Sequence, residues 1–363
     1  MYENFGLTLM LTHACNLRCS YCYTGEKVER AMPLDVARKA VVRSVASVAP
    51  GGTLNLGFFG GEPLLCAPVI MRLIRFARRL TQTRDQHLRL SMTTNGTIVS
   101  PDAWRVMMTP ELDLSISCDG TPTVHDSHRI TPSGRGTSAR VHDTIRRLVS
   151  ADREFWVIAV VRPDTIDDLP EGIAFLQSLG VRRIQPTLDL WTEWRTVDIE
   201  RLEFAIDACA ALWRRSIPDL AISWFDAKAG MLVGAEMARS SRCAFGRGEV
   251  AVAPFGRVYP CERLIGEDLP GNPMAFPGRV FDGADFLAGW DAPTRSHESC
   301  DACAMSAECD TVCRCSNYVR TGDVATPDRL LCTFNQACLT ATADVLNEPV
   351  QLSTRMLNQG VLS

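Results

Sequence analysis

The chain has 363 residues, 46 % apolar and 22 % charged, with 38 Lys and Arg against 42 Asp and Glu for a net charge of −4. This suits two or three globular domains and excludes a disordered chain. No apolar run reaches the ~18 residues of a membrane span, no signal peptide is legible at the start, and no long basic run marks a nucleic-acid partner.

In chain order, residues 7–12 read as a strand and 33–49 as a helix, with Pro33 and Asp35 at its start. Residues 53–59 form a second strand and 63–82 a second helix. Four more strands follow at 88–94, 112–117, 155–161 and 183–187, with helices over 101–108, 139–150, 166–179 and 198–215. Six β-then-α units in a row predict an α/β fold of parallel strands, either an open sheet or an incomplete barrel. Functional residues then gather at the carboxyl ends of the strands.

After Trp224 the alternation fades, and Gly, Pro, Asp and Cys interrupt short apolar pieces over residues 240–338. Such a segment has little core of its own and needs metal to hold it. The tail after Asn347 reads as a surface strand or a loose end. No solenoid repeat and no low-complexity segment is present. The expected division is 1–225, 226–345 and a tail over 346–363.

The 15 cysteines, nine of them after residue 240, are the unusual feature. With no export signal they predict a cytoplasmic chain that binds metal or does thiol chemistry rather than a disulfide framework. Cys15, Cys19 and Cys22 make a C-x3-C-x2-C spacing directly after the first strand. Three thiolates are one short of the four that close a zinc site or an iron–sulfur cluster. A [4Fe–4S] cluster held by three leaves one iron open to an amine and a carboxylate. A zinc knuckle or a redox thiol pair is the competing reading.

Gly60-Gly61-Glu62-Pro63 follows the second strand, with glycines that permit close backbone approach and a carboxylate that accepts from an ammonium. Thr93-Thr94-Asn95-Gly96 follows the third strand and Ser117-Cys118-Asp119-Gly120 the fourth, leading to His125-Asp126 and Arg129. The triplet, with Tyr21 before its third cysteine, resembles the signature of the radical S-adenosylmethionine (SAM) enzymes. That resemblance implies a partial (βα)6 TIM-like barrel. It also implies SAM on the open iron, reductive cleavage to a 5′-deoxyadenosyl radical, and hydrogen abstraction from substrate. It implies further that Gly60, Gly61 and Glu62 hold the SAM amino group and that Ser117 and Asp119 lie near the ribose. Arg129 would then lie near the carboxylate, with Asn95 and Tyr21 lining the same pocket.

Later come Cys243, the G-x4-C ending at Cys261, then Cys300-x2-Cys303-x5-Cys309-x3-Cys313, and finally Cys332. This is similar, spacing for spacing, to the SPASM-type auxiliary domain of many radical SAM enzymes. Two zinc sites are the alternative. The resemblance implies an outer cluster on Cys300, Cys303, Cys309 and Cys332, and an inner one on Cys243, Cys261 and Cys313. That makes three [4Fe–4S] clusters in all. Residues 235–242 hold no further cysteine. The inner cluster therefore keeps an open iron or is completed by Cys315, Cys338 or Cys209. Cys66, Cys118 and Cys209 otherwise read as small buried hydrophobes.

Auxiliary clusters suit a net oxidation, and relatives with all seven cysteines act on peptides or proteins. The expected function is oxidation of a peptide or protein side chain, for example crosslinking of a ribosomally made peptide, with an electron donor such as flavodoxin or ferredoxin. Sulfatase-type formylglycine maturation, a small-molecule dehydrogenase or decarboxylase, and a zinc-stabilised binding module are the alternatives. Glu262 follows Cys261, where the sulfatase-maturing relatives carry an Asp as base, and is a candidate general base. The barrel is expected to begin almost at Met1, and no leader-peptide domain is expected before it.

Overall fold

In a computed structural model of the chain, residues 1–233, 245–282, 300, 303, 309 and 313–347 are described. Strand β1 is Tyr2–Met10, and α1 (Leu34–Ser47), β2 (Val48–Phe59) and α2 (Ala67–Gln82) follow it. Next come β3 (His87–Thr94), α3 (Pro101–Met107), β4 (Leu112–Ser117), α4 (Pro122–His128) and α5 (Ser138–Ser150). Then come β5 (Trp156–Val161), α6 (Leu169–Ser178), β6 (Arg183–Leu188) and α7 (Thr196–Ser216). The remaining described elements are β7 (Ala221–Ile222), α8 (Ser223–Leu232), β8 (Glu249–Val252), β9 (Val258–Tyr259), α9 (Arg314–Thr321) and α10 (Arg329–Asn347).

The nine strands make one sheet in the order β7-β6-β5-β4-β3-β2-β1-β8-β9. Every neighbouring pair is parallel except the β8–β9 hairpin. The fold is α/β, a mostly parallel open sheet curved as a partial TIM-like barrel, as the six units predict. Period-two alternation sets its faces. Phe5, Leu7 and Leu9 of β1, Leu54, Leu56 and Phe58 of β2, and Leu112, Leu114 and Ile116 of β4 are all buried toward the helices. The helices answer with apolar stripes, as in α2, where Ile70, Leu73, Ile74 and Ala77 are each buried. Small or polar residues, among them Thr8, Gly57 and Ser91, meet on the other face.

The predicted helix over 63–82 begins instead with a 3-10 turn, Pro63–Cys66, and that over 166–179 with one at Ile166–Asp168. Proline near each helix start accounts for both, because it supplies no N–H to the first turn.

Beyond residue 225 the described residues hold more regular structure than the composition suggests. Strand β8 pairs with β1 from Gly6↔Glu249 to Leu9↔Val252 and so extends the barrel sheet. The 19-residue α10 packs on α7 and α8. Its Leu330, Leu331, Leu339 and Val345 are buried, each stabilising by about 1.5–3 kcal/mol relative to exposure. Residues 348–363, which include most of the expected tail, lie outside the described residues. Among the described residues no helix is long and apolar enough to cross a membrane.

Candidate active site

The loop between β1 and α1 carries the cysteine triplet across the carboxyl ends of the strands. Its two arms are tied together where Thr12 bridges Ala31 and the His13 N–H donates to the Arg30 carbonyl at 3.0 Å. Farther along, the Arg18 N–H donates to the Ile130 carbonyl at 2.7 Å and the Ser20 N–H to the His128 carbonyl at 3.1 Å. The cysteine loop is therefore pinned to the end of α4, where Arg129 follows.

Gly60 and Gly61 end β2 against this loop. The Gly61 N–H donates to the Thr12 carbonyl at 2.7 Å and the Glu62 N–H to the Ala14 carbonyl at 2.9 Å. A Cβ at Gly61 would stand 2.3 Å from the Ala14 oxygen and 2.6 Å from that of His13. Only glycine fits there, because the obstacle on both sides is backbone.

Glu62 is 1 % exposed. Its Oε1 accepts from the Leu64 N–H at 3.0 Å and from Thr94 Oγ1 at 2.6 Å, and its Oε2 from the Asn95 N–H at 2.8 Å. A carboxylate has about four lone-pair sites, so one remains for a ligand. Burial raises the Glu62 pKa against the pull of those three bonds. Asn95 is itself held, its Nδ2 donating to Asn16 Oδ1 at 2.9 Å and reaching Cys15 Sγ at 3.8 Å.

Asp119 binds Arg129 through two bonds of 2.9 and 3.0 Å. It also accepts from Tyr21 Oη at 2.5 Å and from the Val160 N–H at 2.9 Å. Burial works against the Asp119 carboxylate, and Arg129 outweighs it, leaving the pKa below the ordinary value. The guanidinium lies 5.3 Å from the Tyr21 ring centroid. Asp119 is thus committed to orienting Arg129 and Tyr21, a tie between β4, α4 and the cysteine loop.

These groups surround one cavity of about 400 Å³. Of the expected site residues it is lined by Cys15, Cys19, Cys22, Tyr21, Gly60, Gly61, Glu62, Asn95, Ser117, Arg129 and Glu262, while Asp119 lies behind Arg129 and Tyr21. Burial pushes the Cys15 thiol up to about 11 and raises Cys19 as well. At Cys22 burial is outweighed by the Lys27 ammonium, whose Nζ stands 3.0 Å from Sγ, and the pKa falls. The donor set is all thiol, beside a glycine cradle and a carboxylate with a vacant acceptor site. It fits a [4Fe–4S] cluster with SAM on it. Among the described residues no three Cys, His, Asp or Glu side chains stand as ligands of one metal ion.

Further lining residues went unnoticed in the sequence. Gln185 and Thr187 point inward from β6, and Asp189 and Trp191 follow it. Their only signal is that polar residues alternate with the buried Ile184 and Leu188. Tyr23 stacks on Trp191 at 4.4 Å between centroids and 5° between planes, and on Phe59 at 6.3 Å. Tyr23, Trp191 and Arg263 also wall a second cleft of about 700 Å³, which runs along residues 264–274 to Tyr318 and Val319 of α9.

Glu262 opens a 3-10 turn directly after Cys261, whose Sγ stands 3.6 Å from its Oε2. Cys261 and Cys313 lie in one thiol group, with Cys315 between them. Cys332 forms a separate group: its thiol is raised by burial and then by the charges of Cys300, Cys309, Asp328 and Cys303. Cys243 lies outside the described residues. No disulfide joins any of the fourteen described cysteines.

A cysteine-type anaerobic sulfatase-maturating enzyme of Clostridium novyi is 26 % identical over 269 residues, covering 69 % of this chain and 71 % of that protein. An AdoMet-dependent heme synthase of Methanosarcina barkeri is 26 % identical over 339 residues, covering 86 % and 92 %. A PqqA peptide cyclase of Granulibacter bethesdensis is 22 % identical over 334 residues, covering 89 % and 86 %. The solved structure of native anSMEcpe with bound AdoMet and Kp18Cys peptide superposes with a TM-score of 0.77 at 19 % identity, over 94 % of this chain and 98 % of that one. Residues 9–189, the span from β1 to the end of β6 that supplies most of the cavity lining, match the Radical SAM superfamily, and it is to this superfamily that the chain belongs.

Proposed function

We propose that the protein is a radical SAM oxidoreductase that modifies a peptide or protein side chain by net oxidation. The observation that carries this reading is the meeting, in one cavity, of the cysteine triplet with Glu262 and Arg263 of the cysteine-rich half. Cys15, Cys19 and Cys22 would hold the catalytic cluster, and Gly60, Gly61, Glu62, Asn95, Ser117, Arg129 and Tyr21 would hold SAM. Cys243, Cys261 and Cys313 would serve the inner auxiliary cluster, and Cys300, Cys303, Cys309 and Cys332 the outer one. When bound, these groups supply hydrogen-atom abstraction from the substrate and an outlet for the second electron of a two-electron oxidation.

The chain's own residues do the rest. Glu62 offers its vacant acceptor site to the ammonium of SAM. Arg129, locked by Asp119 and stacked on Tyr21, presents its charge to the carboxylate. Glu262 faces the same cavity as the proton acceptor a net loss of two hydrogens requires. The second cleft, sharing Tyr23, Trp191 and Arg263 with the first, suits an extended chain that places one side chain in the inner cavity. Peptide-modifying relatives support this choice of substrate. A flavodoxin or ferredoxin would supply electrons, and the described cysteines, none of them in a disulfide, suit the cytoplasm.

Sulfatase-type maturation is the second reading, favoured by the fold match to anSMEcpe and by Glu262 directly after Cys261. The test is mass spectrometry of anaerobic reactions with SAM, a reductant, and either a short peptide encoded beside this gene or a sulfatase-derived Cys peptide. Loss of two hydrogens from the first, with matching 5′-deoxyadenosine, establishes the proposal. Conversion of the second alone establishes maturation. A chain purified anaerobically with zinc and no iron refutes both.

A further inference from the structure

The seven-cysteine pattern leaves the inner cluster one ligand short, since residues 235–242 contain no cysteine. Cys209, Cys315 and Cys338 are the unassigned thiols nearest in kind, and the structure separates them. Cys209 on α7 and Cys338 on α10 are both 0 % exposed, within the main apolar core of two helices that pack together. Cys315, in the first turn of α9, belongs to a different and much smaller apolar group with Phe245, Cys261 and Leu264.

Within that group the Cys315 Sγ lies 3.3 Å from the Cys313 Sγ and shares a hydrogen bond with the Cys261 thiol. Ser316 Oγ donates to Cys313 Sγ at 3.2 Å. The Arg263 guanidinium lies beside Cys315, Cys313 and Cys261, and its Nη1 stands 3.4 Å from Ser316 Oγ. A guanidinium and the start of an eight-residue helix thus both border this cluster of three sulfurs. A buried spectator cysteine needs neither.

We propose that Cys315 is a ligand of the inner auxiliary cluster beside Cys261 and Cys313; this rests on the cluster assignment proposed above. Added to the three cysteines of the sequence pattern, it fills the fourth position and leaves no iron open to substrate. Each thiolate of such a cluster takes its own iron, so the three side chains need only turn away from their mutual contact to other staggered rotamers.

The test uses the full chain with Cys15→Ala, Cys19→Ala and Cys22→Ala together, so that only auxiliary clusters give a signal. Iron, sulfide, reduced-state EPR and midpoint potential are measured. This parent should hold about eight irons, and adding β-mercaptoethanol should leave its spectrum unchanged. Adding Cys315→Ala should lower the iron count or make one cluster respond to the thiol. Cys315→Ser, which keeps an oxygen donor, should retain the iron with a shifted potential, and Cys338→Ala should change nothing. A full iron count with unchanged spectra and potential in both Cys315 variants overturns this proposal alone, as does a parent that itself takes up the thiol. A parent with about four irons, or with zinc, overturns the two-cluster reading and this proposal with it.

Discussion

Replacing Glu62 by Gln isolates the carboxylate at the heart of the cavity. Its oxygens accept from the N–H groups of Leu64 and Asn95, on Oε1 and Oε2 respectively, and from Thr94 Oγ1. Whichever oxygen becomes an amide nitrogen, one buried backbone N–H then faces a donor, at a cost of about 1–3 kcal/mol. The lost charge opposite an ammonium costs about 2–5 kcal/mol more in binding. Even 2–4 kcal/mol corresponds to a rise of about 30- to 1,000-fold in the Kd for SAM. Anaerobic equilibrium dialysis of SAM with the reconstituted variant measures it, with iron content as the control for integrity. Thr94→Val removes a neutral donor and keeps the charge, so its Kd should move by less than about tenfold. If Glu62→Gln with full iron binds SAM within about threefold of the parent, the vacant acceptor site does not hold the ammonium and the account of the cavity fails.

Gly61→Ala should cost about 1–3 kcal/mol of stability and cut SAM cleavage severely, because the backbone oxygens of His13 and Ala14 have nowhere to move; normal cleavage would show that β2 and the cysteine loop are not in contact. Trp191→Ala removes an exposed ring stacked on Tyr23, so stability should fall by only about 0.5–1.5 kcal/mol while the peptide KM rises and the Kd for SAM holds; an unchanged KM refutes the cleft as the peptide's path. Asp226, buried with Oδ2 unpartnered, has its pKa raised to about 7 by burial. Since the unfolded carboxyl ionises first, this group's contribution to stability is lost as pH climbs from the ordinary carboxyl range to about 7, by about 4 kcal/mol in total. Asp226→Asn should therefore gain stability relative to the parent between pH 5 and 7 and keep a constant difference above, which melting curves across that range check. Cys15→Ala should abolish 5′-deoxyadenosine formation while the auxiliary iron remains; continued formation refutes the placing of the catalytic cluster.

The barrel was legible because its strands alternate cleanly, as in Leu112–Ser117, and because each motif falls just past a strand end. Helix α10 was not, since its buried side carries Asn335, Cys338 and Thr342 among the leucines. Asn335 is met by the Lys228 ammonium from α8, and Thr342 Oγ1 donates back to the Cys338 carbonyl at 2.7 Å. Such polar core positions break the apolar stripe from which a helix is recognised. Strands β8 and β9, of four and two residues, are too short to declare a period. In the site, conspicuous residue types announced themselves, whereas Gln185, Thr187, Tyr23 and Arg263 belong to it only through the way distant segments meet.

The pairing of β8 with β1 makes the barrel depend on residues far downstream for its own solubility. Shorten the chain to its first 225 residues and those backbone groups of β1 between Gly6 and Leu9 that face β8, the Gly6 N–H among them, lose their partners. What remains is a bare edge on a strand whose Phe5, Leu7 and Leu9 belong to the core, a template for another chain to add to. Hybrids that exchange the cysteine-rich half between relatives must therefore carry a matching β8 with it, or the product will precipitate before its clusters are ever loaded.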